Sequence, residues 1–449
     1  VISRRNLLAL LGVAGLTACS GDPAGEHADR SGDQTAQQLA AAQSLSRSEV
    51  SRAAPDQRSI SSGVAAVTAF SADLYRRLAT GSRHNLVCSP YSVAQALAMT
   101  VQGAAGATAR QILQVLHAGT DPVPSAVAAA LARGLGGLEL TLAARSRQFP
   151  DSQGPSDRVE LATANTLWGQ QGLAWQRPFL DVLARDFGTG MRQVDYRKAA
   201  DGARDLINAW VSRQTRERIR QVIPAGVLDA MTRLVLVNAV YLKAPWNAPF
   251  PAGATRPQPF TRADSGTVTV PMMSDLVADA GYVTGDGWAA LDLPYLGGEL
   301  AMAMILPDRG RFAEVEASLT PTLLGQVLGG FTRGAVRVGL PRWTTRTQVS
   351  LREVLSALGM TAAFDPSAAD FTAITRQERL HVSAVLHEGF VTVDEHGTEA
   401  AAATAVAMRA MGMLAESHSF VANRPFLYVI HDVPTGTPLF IGRVLDPTA

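Results

Sequence analysis

The sequence predicts an α+β fold, one large domain in which helices and strands are intermixed. Stretches with apolar residues at helical spacing and stretches with period-two alternation follow one another irregularly, without the regular succession of a doubly wound sheet. No internal repeat marks a solenoid. The chain closes on two alternating runs separated by Pro434-Thr435-Gly436, which reads as strand, turn and strand.

Helical spacing occupies 64–79, 92–98, 109–116, 178–187, 202–215 and 351–358. Strand patterns occupy 160–168, 234–242, 268–273, 288–294, 300–306, 335–341 and 390–393, the last shown by the alternation of Phe390-Val391-Thr392-Val393. Residues 117–159 fit neither pattern well. By length alone 449 residues would hold roughly two or three average domains, yet large single domains exceed that prior.

A net charge of +1 supplies no field for nucleic acid or acidic membranes. The densest basic cluster, Arg213, Arg216, Arg218 and Arg220, falls on the amphipathic helix that contains Trp210 and on its exit, and reads as a solvated face. Catalytic patterns are missing. The sequence holds no G-x-S-x-G, no H-E-x-x-H, no phosphate loop and no C-x-x-C, so neither an enzyme nor a metal site is expected, and no cofactor.

The first residues read as an address. Ser3-Arg4-Arg5-Asn6-Leu7-Leu8, an apolar stretch and then Leu16-Thr17-Ala18-Cys19 combine an export pattern with a lipoprotein cleavage box, making 1–19 a signal peptide whose Cys19 would take lipid. The apolar run is too short to span a bilayer. Residues 20–58, rich in Ala, Ser, Gln, Gly, Asp and Arg, read as a disordered tether. An exported, membrane-anchored lipoprotein of the cell envelope is expected, periplasmic or at the cell surface. Cys88, the other cysteine, then has no partner for a disulfide and reads as a buried small hydrophobe.

The most informative stretch is DEHGTEAAAATAVAMRAMGM, Asp394 to Met413. Read at period two, Thr398, Ala400, Ala402, Thr404 and Val406 share one face, and Glu399, Ala401, Ala403 and Ala405 the other. Such a tract of small side chains fits between two strands without steric conflict. Glu395-His396-Gly397-Thr398-Glu399 with Ala400 to Thr404, followed by Asn423-Arg424-Pro425-Phe426 and Pro438-Leu439-Phe440-Ile441-Gly442, resembles the reactive-loop hinge and C-terminal signature of the serpins. NLVCSPYSVAQALAMTVQGAAGATARQIL from Asn85, TRLVLVNAVYLKAPWNAPF from Thr232 and HEGFVTVDEHG from His387 resemble further serpin segments in the family's order. The resemblance covers 59–449.

The resemblance implies the serpin fold, three β-sheets with about nine helices and an exposed reactive-centre loop. It implies a monomeric inhibitor of serine proteases that acts as a suicide substrate: cleavage of the loop, acyl-enzyme formation, insertion of the loop as an extra strand and covalent trapping. The hinge Glu395, Gly397, Thr398, Glu399, Ala400, Ala401, Ala402, Ala403 and Thr404 carries no proline and no charge on the Thr398 face, so it permits insertion. Ser89, Ser92, Asn238 and His387 would form the polar cluster beneath the sheet that exchanges hydrogen bonds as strands part, and Trp246 would lie where the loop first inserts. Counting seventeen positions from Glu395 gives Met411-Gly412 as the reactive bond, suiting elastase-, chymotrypsin- or subtilisin-like pockets. Arg409 offers a trypsin-like alternative and Leu414 a chymotrypsin-like one. A different class of function remains open, a non-inhibitory serpin-fold protein with a binding or chaperone-like role.

Overall fold

Pro90–Val101 shows how the sequence builds this interior. Ser89 caps the helix by accepting the Ser92 backbone N–H, and Pro90 stands in the first turn, where no amide donor is needed. Every one of its residues is buried. Gln57–Ala79 packs beside it, capped by Asp56, with Ile60, Val67, Phe70 and Leu74 buried at helical spacing and Arg76 and Arg77 in the last turn, where cations suit the helix dipole. The structure, a computed structural model, describes residues 45–119, 123–149, 157–398 and 418–449. Nine α-helices and two short 3-10 turns occur among the described residues.

One sheet of eight strands runs Leu45–Ser46, Met191–Val194, Asp157–Gln170, Leu234–Pro245, Gly397–Thr398, Ala384–Asp394 and Trp343–Ser350, with Arg147–Phe149 added to Asp157–Gln170. The other, of nine, has Leu300–Pro307, Phe426–Asp432 and Thr437–Val444 towards one end, and every residue of these three strands is buried. The resemblance implies three sheets, and the structure joins two of them through one long strand. Thr267–Gly285 pairs with Arg256–Thr261 and Thr332–Pro341 along most of its length and with Trp288–Pro294 at its end.

The stretch read as a tether to residue 58 is partly structured, a correction to the expected boundary. Leu45–Ser46 pairs with Met191 and Arg192, the Ala53 N–H donates to Arg185 O at 2.7 Å, and Arg52 pairs with Glu139 at 2.7 Å. A polar segment poor in aromatics can still add to a sheet edge, because main-chain hydrogen bonds hold it there.

Within 117–159 the structure places the helix Pro124–Ala143. Its Gly134, Gly136 and Gly137 weaken helical propensity and hid it from the pattern. Two of them serve close packing: a Cβ on Gly134 would stand 2.3 Å from Ser59 O, and one on Gly136 1.9 Å from Asp186 O. Cys88 is fully buried and unpaired, with burial pushing its thiol well up.

Candidate functional site: the seam of the central sheet

Leu234–Pro245 and Ala384–Asp394 meet along only part of their length. Val235–Ala239 pairs in parallel with Ala384–Glu388, including His387 opposite Asn238. Towards the other end Gly397–Thr398 stands between the two strands, antiparallel to both. Thr398 is opposite Ala244 on one side and Val393 on the other, and Gly397 is opposite Pro245 and Asp394.

Gly397 is the residue this wedge requires. Its φ of +148° suits glycine, and a Cβ there would lie 2.2 Å from Ala244 O. Thr398 is buried, its hydroxyl hydrogen-bonded to that of Tyr295. Tyr295 stacks on Trp246 with ring centroids 4.6 Å apart and planes 2° from parallel. Trp246 donates from Nε1 to Asp394 O at 3.0 Å and from its backbone N–H to His396 O at 2.8 Å, fastening the bend between the strand and the wedge.

Glu395 holds the same bend from within. It is 3% exposed, accepts from Arg342 Nε at 2.9 Å and from the Thr255 hydroxyl, and its backbone carbonyl takes the Phe250 N–H at 2.9 Å. Burial pushes its carboxyl up, but the hydrogen bonds from Arg342 and Thr255 outweigh burial and hold it below the usual range.

At the paired end, four residues singled out in the sequence converge. His387 Nε2 accepts the Ser89 N–H at 3.0 Å, so the ring proton sits on Nδ1 and donates to Asn238 Oδ1 at 2.7 Å. The Ser89 hydroxyl donates to Leu439 O at 2.6 Å and also takes the Ser92 N–H. Burial lowers the His387 pKa to about 4, so the ring is neutral near pH 7. Trp246 is not part of this cluster; it stands at the wedge. Asn165, opposite Asn238 on the neighbouring strand, completes the group by accepting from the Ser92 hydroxyl. The Nδ2 groups of Asn165 and Asn238 are buried with no hydrogen-bond partner among the described residues.

Residues 65–447 match the family model described as Serpin (serine protease inhibitor). The chain is a serpin. Over 387 residues it is 37% identical to an uncharacterized serpin-like protein of Thermococcus kodakarensis, covering 86% of this chain and 85% of that protein. It is 34% identical to plasminogen activator inhibitor 1 of Sus scrofa over 388 residues, 85% of this chain and 91% of that one. The crystal structure of the thermophilic serpin tengpin in its native state superposes with a TM-score of 0.75 at 26% identity, covering 89% of this chain and 97% of that one.

This serpin therefore belongs to a family of inhibitors rather than of enzymes. Glu399, Ala400, Ala401, Ala402, Ala403, Thr404, Arg409, Met411, Gly412 and Leu414 lie outside the described residues, as does Cys19. Sequence reasoning missed Asn165, Tyr295 and Arg342. Asn165 had a local signal, a polar residue on the inward side of a strand that also carries Val159, Leu161 and Leu167; the other two meet the segment around Gly397 only through long-range packing.

Proposed function

We propose that this serpin is a suicide-substrate inhibitor of serine proteases whose cleaved loop inserts down the seam, and one observation carries the reading. Gly397–Thr398 already occupies the first two places of an inserted strand, hydrogen-bonded on both sides. Each further loop residue would meet the next residue down both flanking strands. Six places beyond Thr398, Thr404 would come opposite Asn238 and His387, which are six places from Ala244 and Val393 and are now each other's partners. The two strands need only separate, without sliding. Ten places beyond Thr398, Met408 would reach Leu234 at the end of its strand, leaving the reactive bond Met411-Gly412 just past the sheet.

Side chains support the same path. Thr398 faces inward, so Ala400, Ala402 and Thr404 would follow it, while Glu399 would turn to the outer face beside Lys243 and Thr392. The orphaned amides of Asn165 and Asn238 lie at the level where Thr404 would arrive. A dozen residues each gaining about 1 kcal/mol of net hydrogen bonding would release about 10 kcal/mol, comparable to the stability of a whole domain. Methionine at the scissile position favours elastase-, chymotrypsin- or subtilisin-like targets, with Arg409 for a trypsin-like one and Leu414 for a second chymotrypsin-like register. We also propose that lipid on Cys19 anchors a monomer in the cell envelope; palmitate labelling lost in Cys19→Ser is the expected result.

The test mixes the full chain with elastase, chymotrypsin, subtilisin and trypsin, followed by denaturing gels and mass spectrometry of the released peptide. A covalent band with a peptide beginning at Gly412 is expected. A peptide beginning at Ala410 moves the bond to Arg409, and one beginning at Ala415 moves it to Leu414. Thr398→Arg should convert the inhibitor to a substrate, lowering the ratio of trapped to released protease by more than about 100-fold, because an unpaired buried cation costs several kcal/mol. Cleavage of the unmodified chain with no covalent band would instead favour the non-inhibitory reading.

A further inference from the structure

The basic cluster read from the sequence as a solvated face is divided by the structure. Arg216 pairs with Glu160 at 2.6 Å and Arg220 with Glu217 at 3.8 Å. Arg213, exposed in the last turn of the helix Tyr196–Gln214, makes no ion pair among the described residues. Beside it stands Arg192, half-buried on the strand Met191–Val194, with its guanidinium carbon 4.8 Å from the ring centroid of Trp210 and 5.6 Å from that of Trp168. The two indoles meet edge to face, their centroids 5.8 Å apart.

Strand register accounts for this meeting. Trp168 and Arg192 stand opposite each other in a parallel pair, so both side chains leave the sheet on one face. That face is the outer one, because Asn165, three residues before Trp168, points inward to Ser92. Trp210 and Arg213, three residues apart, are neighbours on the helix that covers it. On the other side the edge strand Leu45–Ser46 sets Leu45 opposite Arg192. Arg47 continues past Gly190, where a Cβ would stand 3.0 Å from the Arg47 Cα, and by alternation it faces the same way as Leu45. It is exposed and makes no ion pair among the described residues; nor does Glu49, the exposed acid that follows it.

This corner of the molecule offers donors without acceptors. Arg192 makes neither an ion pair nor a hydrogen bond with the described residues, and its Nε is buried with no acceptor. The indole N–H of Trp168, a fully buried side chain, also lacks one. Burial, and after it the neighbouring Arg213, pushes the Arg192 pKa down, so the charge there is uncompensated. A guanidinium laid on an indole uses its flat face for that contact and keeps the N–H fork in its plane free, held in one orientation. Such a fork matches two oxygens of a phosphate, and hydrogen bonds between two charged groups are the strong ones.

We propose that Arg192, with Arg213 on the helix and Arg47 on the edge segment, forms a binding site for a phosphate group, supplied by a phospholipid headgroup or by a soluble phosphate, and that Trp210 and Trp168 hold the central guanidinium in place for it. The bound group would lie against both the edge segment and the helix, joining them through its oxygens. Asp157–Gln170 and Leu234–Pro245 separate the site from the seam, so the proposal stands whether or not the loop inserts.

The experiment has two arms. In one, the full chain is titrated with inorganic phosphate at constant ionic strength and followed by calorimetry and tryptophan fluorescence. In the other, the full chain carrying Cys19→Ser, which brings no lipid of its own, is sedimented with phosphatidylcholine vesicles that are pure or contain about one-third phosphatidylglycerol. A saturable response is expected; one to phosphate alone assigns a soluble ligand, and one to the mixed vesicles alone a lipid headgroup. Arg192→Gln should weaken it about tenfold or more, and Arg192→Lys, which keeps the charge but not the fork, about fivefold. Arg213→Gln, at an exposed position where folding is not at stake, should weaken it about threefold. Arg204→Gln removes the same charge from the same helix, where Arg204 is already paired with Asp201 and Asp205, and should change nothing. Equal weakening by Arg204→Gln would reduce the effect to net charge, and no response to either probe, or full binding in Arg192→Gln, would leave no site; each of these overturns the proposal.

Discussion

In the C-terminal hairpin, Phe426–Asp432 and Thr437–Val444 share seven residue pairs and bury Phe426, Tyr428, Ile430, Phe440 and Ile441 completely. In the seam, Val235–Ala239 and Ala384–Glu388 share five, with Asn238 against His387 and Ala239 against Glu388, before a two-residue wedge divides them. Both are buried strand pairs. They differ in what separation would cost. Opening the hairpin exposes large apolar side chains with nothing to replace their contacts. Opening the seam, as the proposed insertion requires, would let polar partners be exchanged, in a cluster that already holds two amides without partners among the described residues. The seam has apolar pairs of its own, Val385 with Leu236 and Leu386 with Val237, so what sets it apart from the hairpin is the polar cluster beside them.

Ile441→Ala should have the largest effect on stability and should act alike on every form of the protein. Ile441 is fully buried, and truncation there should cost about 4 kcal/mol through lost burial and a residual cavity. Denaturant unfolding of intact and loop-cleaved protein should shift by the same amount, since the hairpin stays paired in both. A shift confined to one form would show that the hairpin, too, takes part in the proposed rearrangement.

The seam should answer to pH. His387 has a native pKa of about 4 against about 6.5 when unfolded, burial being the cause. The native state therefore refuses a proton that the unfolded chain accepts between those values. No penalty exists above pH 6.5; it grows as pH falls and reaches about 3 kcal/mol near pH 4. Thermal midpoints of the unmodified protein and His387→Gln, compared from pH 7.5 to pH 4, should converge or cross as the native histidine is penalised. A constant difference would show that His387 titrates near its ordinary value.

The strand Trp288–Pro294 could be read from the sequence to the residue because it is apolar and lies between clear breaks. Trp343–Ser350 could not, since Thr344, Arg346 and Gln348 are exposed and the other face, Trp343, Thr345, Thr347 and Val349, alternates apolar residues with threonines, so no apolar stripe marks it. Pro124–Ala143 was obscured by glycines that packing demands. The site divides the same way. Ser89, Ser92, Asn238, His387 and Gly397 were reached through family resemblance, with backbone chemistry adding a reason for the glycine, whereas Tyr295 and Arg342 touch the segment around Gly397 from about 100 and 50 residues away in sequence. Period and turn chemistry describe a strand's own faces; they carry no information about which distant side chain stacks against its end.

The subtlest difference between the two regions should show at the hinge itself. Arg342 is about half exposed while the Glu395 carboxylate it holds is nearly buried, so solvent screens the pair from one side and its loss in Arg342→Gln should cost about 1 kcal/mol, roughly a fivefold change in an equilibrium. Glu395 keeps the Thr255 hydroxyl, so the bend should loosen rather than unfold. Hydrogen exchange at the Gly397 and Thr398 amides should accelerate about fivefold while the amides of Leu427–Ile430 keep their rates. The unmodified protein should loosen in the same place on acidification: a carboxylate held below its ordinary range stabilises above that range and loses its contribution as pH falls through its native value. Faster exchange in the hairpin as well would mean that Arg342 supports the whole domain; unchanged exchange at Thr398 would leave the Tyr295–Trp246 stack as what keeps the wedge in the seam.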